Sequence, residues 1–404
     1  MINSLNHRRG ILALVATLGA MFAFADVKCE IEPPKSAVYN VRDYGAKGDG
    51  RTKDTAAIQR AIDAASAAGG GTVELPMGTY LSGTIYLKSN VDFHLAEYAE
   101  LRSSVDPADF NPTDVCVQNW ASKNESHRGG HLVMCIEQEN VTVRGPGAIN
   151  GCSETFCVRD DGYVYFQHEI PFRPAQMLCF IESKNLRLEN LRLFDSPYWS
   201  CYLHGCENVS IERLNVRTRR RPYHTQNGDG IDIDCCEHVQ VADCDIDTAD
   251  DSITLRGDCK RLKENRECRD IKVSNCRLSS SCNAIRIGVG DGVVRDAEFD
   301  GIVIRNSRTA ISFVSSWLGK GRGVDISDIT FRNFDIDAAK YLTVHPECGK
   351  ATKFERITYE NMVGADKIAE DPDFVKAVST RYRQGDSDAL AGERRDRRTK
   401  RLRK

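Results

Sequence analysis

Short runs that alternate apolar and polar residues dominate this chain, and turns separate them. Runs at 72–75, 80–87 and 91–95 read as strands, with Pro76-Met77-Gly78-Thr79 as the turn between the first two. From Asn140 the alternation becomes a repeat. Its units are NLRLENLRL from Asn185, NVSIERLNV from Asn208, HVQVADCDI from His238 and DIKVSNCRL from Asp270. DAEFDGIVI from Asp296, DITFRNFDI from Asp328 and a weaker RITYENMV from Arg356 continue it. The units recur at uneven intervals of about 23 to 32 residues around a constant strand–turn–strand core. A constant core with loops of varying length predicts an all-β chain wound as a right-handed parallel β-helix. A β-sandwich would carry hairpin signals, and few are present. One segment departs from the strand pattern. After Asp54, a good N-cap, Ala57, Ile58, Ala61, Ile62 and Ala65 recur at helical spacing until Gly69-Gly70-Gly71. An open solenoid needs its end covered, so this helix is expected to cap the first coil.

The stretch 227–256, NGDGIDIDCCEHVQVADCDIDTADDSITLR, spans one circuit of such a solenoid. It carries Asp229 and, 21 residues later, the pair Asp250 and Asp251. One circuit apart, they should stack about 4.8 Å from each other, one strand spacing. Crowded carboxylates cannot all ionise freely, so one is expected to stay protonated beside an ionised neighbour. A proton donor next to a carboxylate base is what glycosidic cleavage requires.

These residues resemble glycoside hydrolase family 28, the polygalacturonase-like enzymes. The family's NTD-G-I-D and G-DD-x-I-x-[IL]-[KR] runs correspond to NGD-G-I-D and A-DD-S-I-T-L-R here. The resemblance covers about residues 38–364 and is strongest around the three acids. It implies Asp250 as general acid, Asp229 and Asp251 as the pair that holds and activates water, and no cofactor or metal. It also implies inversion of configuration, with acid and base well apart. Two family elements are changed. Asn283, in Cys282-Asn283-Ala284-Ile285-Arg286-Ile287-Gly288, stands where the family has histidine. Ala310-Ile311-Ser312-Phe313-Val314 stands where an R-I-K run binds the substrate carboxylate. New basic residues occur nearby. Arg286 takes the opposite alternation to Ile285 and Ile287, and Arg256 follows the acid pair. Arg219-Arg220-Arg221 precede the first acid and could form a cleft wall or a solvated turn. Asn227, Arg256, Asn283, Arg286, Trp317 and His224 are the candidate substrate-binding residues. Trp317 is a possible sugar platform beside Ser315 and Ser316, and His224 a substitute imidazole. The partner implied is an acidic poly- or oligosaccharide. Two alternatives stay open: a calcium-dependent polysaccharide lyase with Arg286 as base, and a non-catalytic carbohydrate-binding β-helix.

Composition narrows this picture further. The chain has 404 residues and a net charge of −3, so nothing biases it toward nucleic acid. His7, Arg8 and Arg9 precede an apolar run at 11–24 that ends in Ala23-Phe24-Ala25, the pattern of a cleaved leader. The expected organisation is a signal peptide at 1–25, one β-helix domain at 26–370, and a disordered basic tail at 371–404. A secreted or periplasmic monomer, without membrane contact after cleavage, follows from that reading. Loops around 111–130 and 152–174 carry Trp120, Tyr163, Tyr165 and Phe166, which could stack on sugar rings or simply pack locally. All 16 cysteines lie beyond the leader. Cys259 with Cys268, and Cys152 with Cys157, flank loops that a disulfide could close. Cys206, Cys244 and Cys276 fall at strand positions and are expected as buried thiols.

Overall fold

A computed structural model describes residues 37–111, 130–156, 173–218, 227–259, 262–316, 321–350, 352–363 and 381–382. Each repeat unit opens on a left-handed backbone residue. Asn185, Asn208, His238, Asp270, Asp296, Asp328 and Arg356 all have φ between 51° and 58°. Asn and Asp tolerate this region best among residues with a Cβ, which explains why most units start with one. Successive amides then join into a ladder. Asn140 donates to Asn90 at 2.9 Å, Asn185 to Asn140 at 3.0 Å and Asn208 to Asn185 at 3.2 Å. A second corner five residues on repeats the device at Asn190, Arg213, Asp243 and Asn275.

Between the corners the strands stack coil upon coil. Among the described residues every strand pair is parallel, as in Leu186 opposite Val209 opposite Val239 opposite Ile271. The result is the parallel β-helix, with one hydrophobic cluster running from Val41 to Met362. Phe299, Phe331 and Tyr359 stack inside it at centroid distances of 5.2 and 5.3 Å.

The capping helix spans Thr55–Ala67 and buries Ala57, Ile58, Ala61, Ile62 and Ala65. Asp54 precedes it but does not cap it with its side chain. Its carboxylate instead accepts from the backbone N–H groups of Lys47 at 2.7 Å and Gly48 at 3.0 Å. The run expected as one strand at 80–87 is two, Gly78–Ser82 and Ile85–Tyr86. The chain turns a corner at Gly83, where a Cβ would lie 1.9 Å from the Asp109 carbonyl oxygen.

The loop-closing disulfides are not formed. Cys152, Cys259 and Cys268 are free thiols, and Cys157 lies outside the described residues. Cys268 points into the solenoid, with its Sγ 3.6 Å from the Ile233 carbonyl oxygen. Cys206, Cys244 and Cys276 are buried as expected. A short strand at Arg381–Tyr382 pairs with Thr358 and Tyr359, inside the stretch expected as a tail. No helix among the described residues is long and apolar enough to cross a membrane. The leader, the loop aromatics Trp120, Tyr163, Tyr165 and Phe166, and the basic end of the chain lie outside the described residues.

Candidate active site

Four successive strands of one sheet build the site: Cys201–His204, Ile231–Asp234, Ile253–Gly257 and Asn283–Gly290. Ile231, Ile253 and Ile285 stack in register, and with Ile233, Leu255 and Ile287 they are fully buried in the core. Alternation therefore turns Asp232, Thr254 and Arg286 to the outer face, stacked in that order.

The acids stand just before two of these strands. With Ile231 opposite Ile253, Asp229 falls opposite Asp251 and Gly228 opposite Asp250. Backbone bonds fix this. The Gly230 N–H donates to the Asp251 carbonyl at 2.8 Å, and the Asp250 N–H to the Gly228 carbonyl at 3.3 Å. Gly230 permits the approach, since a Cβ there would lie 2.4 Å from the Ser252 oxygen. The Asp250 carbonyl accepts from Thr248 Oγ1 at 2.7 Å and Ser280 Oγ at 2.5 Å. The structure thus gathers Asp229, Asp250 and Asp251.

Arg286 and Asn283 join them. Arg286 Nε lies 2.7 Å from Asp251 Oδ2, at an angle too poor for a hydrogen bond, and Nη2 lies 3.7 Å from Asp229 Oδ2. Asn283 Nδ2 donates to Asp251 Oδ1 at 2.6 Å, so each Asp251 oxygen has its own partner. Asn283, expected as a substrate-binding residue, is thus bonded to an acid of the cluster. Arg286 is paired across the coils with Ser312, inside the segment that stands where the family has its R-I-K run.

Other expected residues are placed differently. Arg256 is buried over the Trp199 ring, 4.6 Å from its centroid, with Nε 3.5 Å from Asp234 Oδ2. Alternation puts it beside Asp234, and its charge also acts on Asp232 and Arg286. Asn227 is partly buried, with φ 51°, two residues before Asp229. Ser315 faces no groove; its hydroxyl is tied to the Val324 carbonyl at 3.1 Å. His224, Trp317 and Arg219-Arg220-Arg221 lie outside the described residues. Sequence reasoning missed Asp232, Asp234, Tyr202, His204 and Trp199, which the outward positions beside Ile231 and Ile233 could have revealed. Tyr202 donates to Asp234 Oδ2 at 3.1 Å. Burial pushes His204 down to about 4, so it is neutral.

Burial and mutual repulsion set the charge state. Burial first, then Asp251, raise the Asp250 carboxyl to about 7, against the pull of Arg286. Burial, then Asp232, Asp250 and Asp251, hold Asp229 well above the carboxylate range. Asp232 is pushed up to about 7 by burial. Burial works against the Arg286 charge, but Asp251, Asp229 and Asp232 outweigh it and raise its pKa. At neutral pH the cluster therefore holds protons close to the Arg286 guanidinium. Asp250, Asp251 and Cys282 have side-chain donor atoms within 4.8 Å of one another and could converge on a cation. Arg308 Nη2, 2.7 Å from Cys282 Sγ, and Arg286 on Asp251 bring guanidinium charge there instead. Asp250 and Asp251 offer oxygens within 4.8 Å of each other, closer than the about 6.5–9.5 Å between acid and base in inverting enzymes. The two are consecutive residues of one turn, which limits how far apart they can stand.

The sequence matches two family models: rhamnogalacturonase A/epimerase, pectate lyase-like, over 38–94, and glycosyl hydrolases family 28 over 103–265. Over 103–265 the chain is similar to glycoside hydrolase family 28. A probable polygalacturonase of Vitis vinifera is 24% identical over 310 residues, 74% of this chain and 60% of that protein. One of Arabidopsis thaliana is 25% identical over 334 residues, 74% of this chain and 67% of that one. The chain thus spans about three fifths to two thirds of these relatives. An exopolygalacturonase from Thermotoga maritima shares the fold, with a TM-score of 0.64 at 22% identity over 81% of each chain.

Proposed function

We propose that this protein is a family 28 glycoside hydrolase that cleaves galacturonate-containing pectic polysaccharide with inversion of configuration. One observation carries the proposal: Asp229, Asp250 and Asp251 meet across adjacent coils, and Asp250 is raised to about 7. A carboxyl with that value is protonated in a large fraction of molecules near neutrality and can protonate the leaving oxygen. Asp251 would deprotonate water on the far side of the sugar, and Asp229, held well above the carboxylate range, would donate to that water and hold it. Because Asp250 and Asp251 are close, the water would lie toward Asp229. Arg286 supplies the charge for an acidic sugar, with Asn283 and Asn227 at the rim. Export to the periplasm or the exterior belongs to the same proposal, because the polymer lies outside cells.

The lyase alternative asks Arg286 to act as a base. A guanidinium whose pKa is raised by Asp251 and Asp229 is poorly suited to that role. The test incubates the protein with galacturonan and with neutral galactan in the presence of chelator. Reducing ends should appear from galacturonan alone, without ultraviolet absorbance from an unsaturated product. Absorbance that tracks the reducing ends would replace the hydrolase by a lyase.

A further inference from the structure

Cys282 stands one residue before the position where the family has histidine, and the hydrolytic reading gives it no role. It is 7% exposed and sits between two charged groups. Arg308, on the next coil, places Nη2 2.7 Å from Cys282 Sγ. A guanidinium can only donate, so the sulfur accepts there and its proton is free to point elsewhere. The Asp250 carboxyl stands on that side, with one of its oxygens and the Cys282 sulfur within 4.8 Å of each other. A backbone tie holds the arrangement. The Cys282 N–H donates to Ser280 Oγ at 2.8 Å, and Ser280 Oγ donates to the Asp250 carbonyl at 2.5 Å. The coil carrying Arg308 is fixed by the Thr309 N–H, which donates to the Cys282 carbonyl at 2.9 Å. Burial, with Asp251 and Asp250, pushes the Cys282 pKa up, so the thiol keeps its proton.

We propose that Cys282 is a positioning residue for Asp250, linking the Arg308 guanidinium to the carboxyl through its thiol. This rests on Asp250 being the general acid. The thiol occupies one carboxyl oxygen and leaves the proton on the other, which faces the sugar. When that proton passes to the leaving oxygen, the glycosidic C–O bond breaks, its electron pair goes to that oxygen, and water bonds to the anomeric carbon as its proton passes to Asp251. Asp250 becomes a carboxylate that accepts from the S–H group, and water returns the proton.

The test follows Asp250 by NMR in protein labelled with carbon-13 at the aspartate carboxyls, assigned with Asp250→Asn. The pH dependence of kcat and KM is measured in parallel. A donor to the carboxylate favours the charged form, so removing it moves the titration up. Cys282→Ala should raise the midpoint and the alkaline limb of kcat by about half a pH unit, with KM unchanged. Cys282→Ser, which keeps a donor, should return both toward wild type. Arg308→Met should shift them upward as Cys282→Ala does, and it carries the test if Cys282→Ala does not fold. Superimposable titrations in wild type, Cys282→Ala and Arg308→Met would overturn the proposal. A moved titration in a protein that hydrolyses no pectic polymer would support the contact and overturn the hydrolase reading alone.

Discussion

Asp250→Asn should make the protein more stable at alkaline pH while abolishing hydrolysis. The Asp250 carboxyl rises from 3.8 to about 7 on folding, because burial and Asp251 penalise its charge. Below about pH 4 it is protonated in both the folded and the unfolded chain, and nothing is lost. As pH climbs from 4 to 7 the unfolded chain ionises and the folded one resists, so stability falls. Above 7 the loss is complete. Three units at about 1.4 kcal/mol each set a ceiling of about 4 kcal/mol. Asp250 keeps some solvent contact, so about 1–3 kcal/mol is the expected loss. Asparagine cannot ionise and escapes it. Guanidinium chloride unfolding of wild type and variant at pH 4 and pH 8 reads the difference directly. The two should coincide at pH 4, with the variant more stable at pH 8. A variant no more stable than wild type at pH 8 would refute the claim that Asp250 is held neutral by its surroundings.

Other changes test the same framework. Gly230→Ala drives a Cβ against the Ser252 oxygen and the Ile246 side chain, so urea unfolding should show a loss of about 2–3 kcal/mol. Arg286→Met breaks the pair with Asp251 and should lower kcat/KM on galacturonan about a hundredfold, equivalent to about 2.7 kcal/mol. Asn185→Ala keeps φ at 54° without the amide ladder and should cost about 1–2 kcal/mol in thermal unfolding, with the pH profile unchanged.

Much of this architecture is legible in the chain because the solenoid is locally coded. Each unit announces its coil with an Asn or Asp that accepts a left-handed backbone, and the apolar alternation fixes which residues face inward. The same alternation puts Arg286 on the outer face, where it is found. What escaped depends on register between coils. Whether Asp250 or Asp251 stands opposite Asp229 is decided by the turn at Gly230 and its bonds to the next coil. Arg256 looks like a substrate ligand from its place after the acids, yet Trp199 and Asp234, far off in sequence, claim it. Cys282 could not be told from the core cysteines by pattern, since only the neighbouring coil brings Arg308 to its sulfur.

The central claim is that three aspartates on adjacent coils perform inverting hydrolysis with Asp250 as the acid. Proton NMR of the first product formed from a galacturonate oligomer, in wild type and Asp250→Asn, tests it most directly. The account predicts that wild type first releases the anomer opposite to the substrate linkage, and that the variant releases none. First release of the same anomer as the substrate, or undiminished release by the variant, would contradict it.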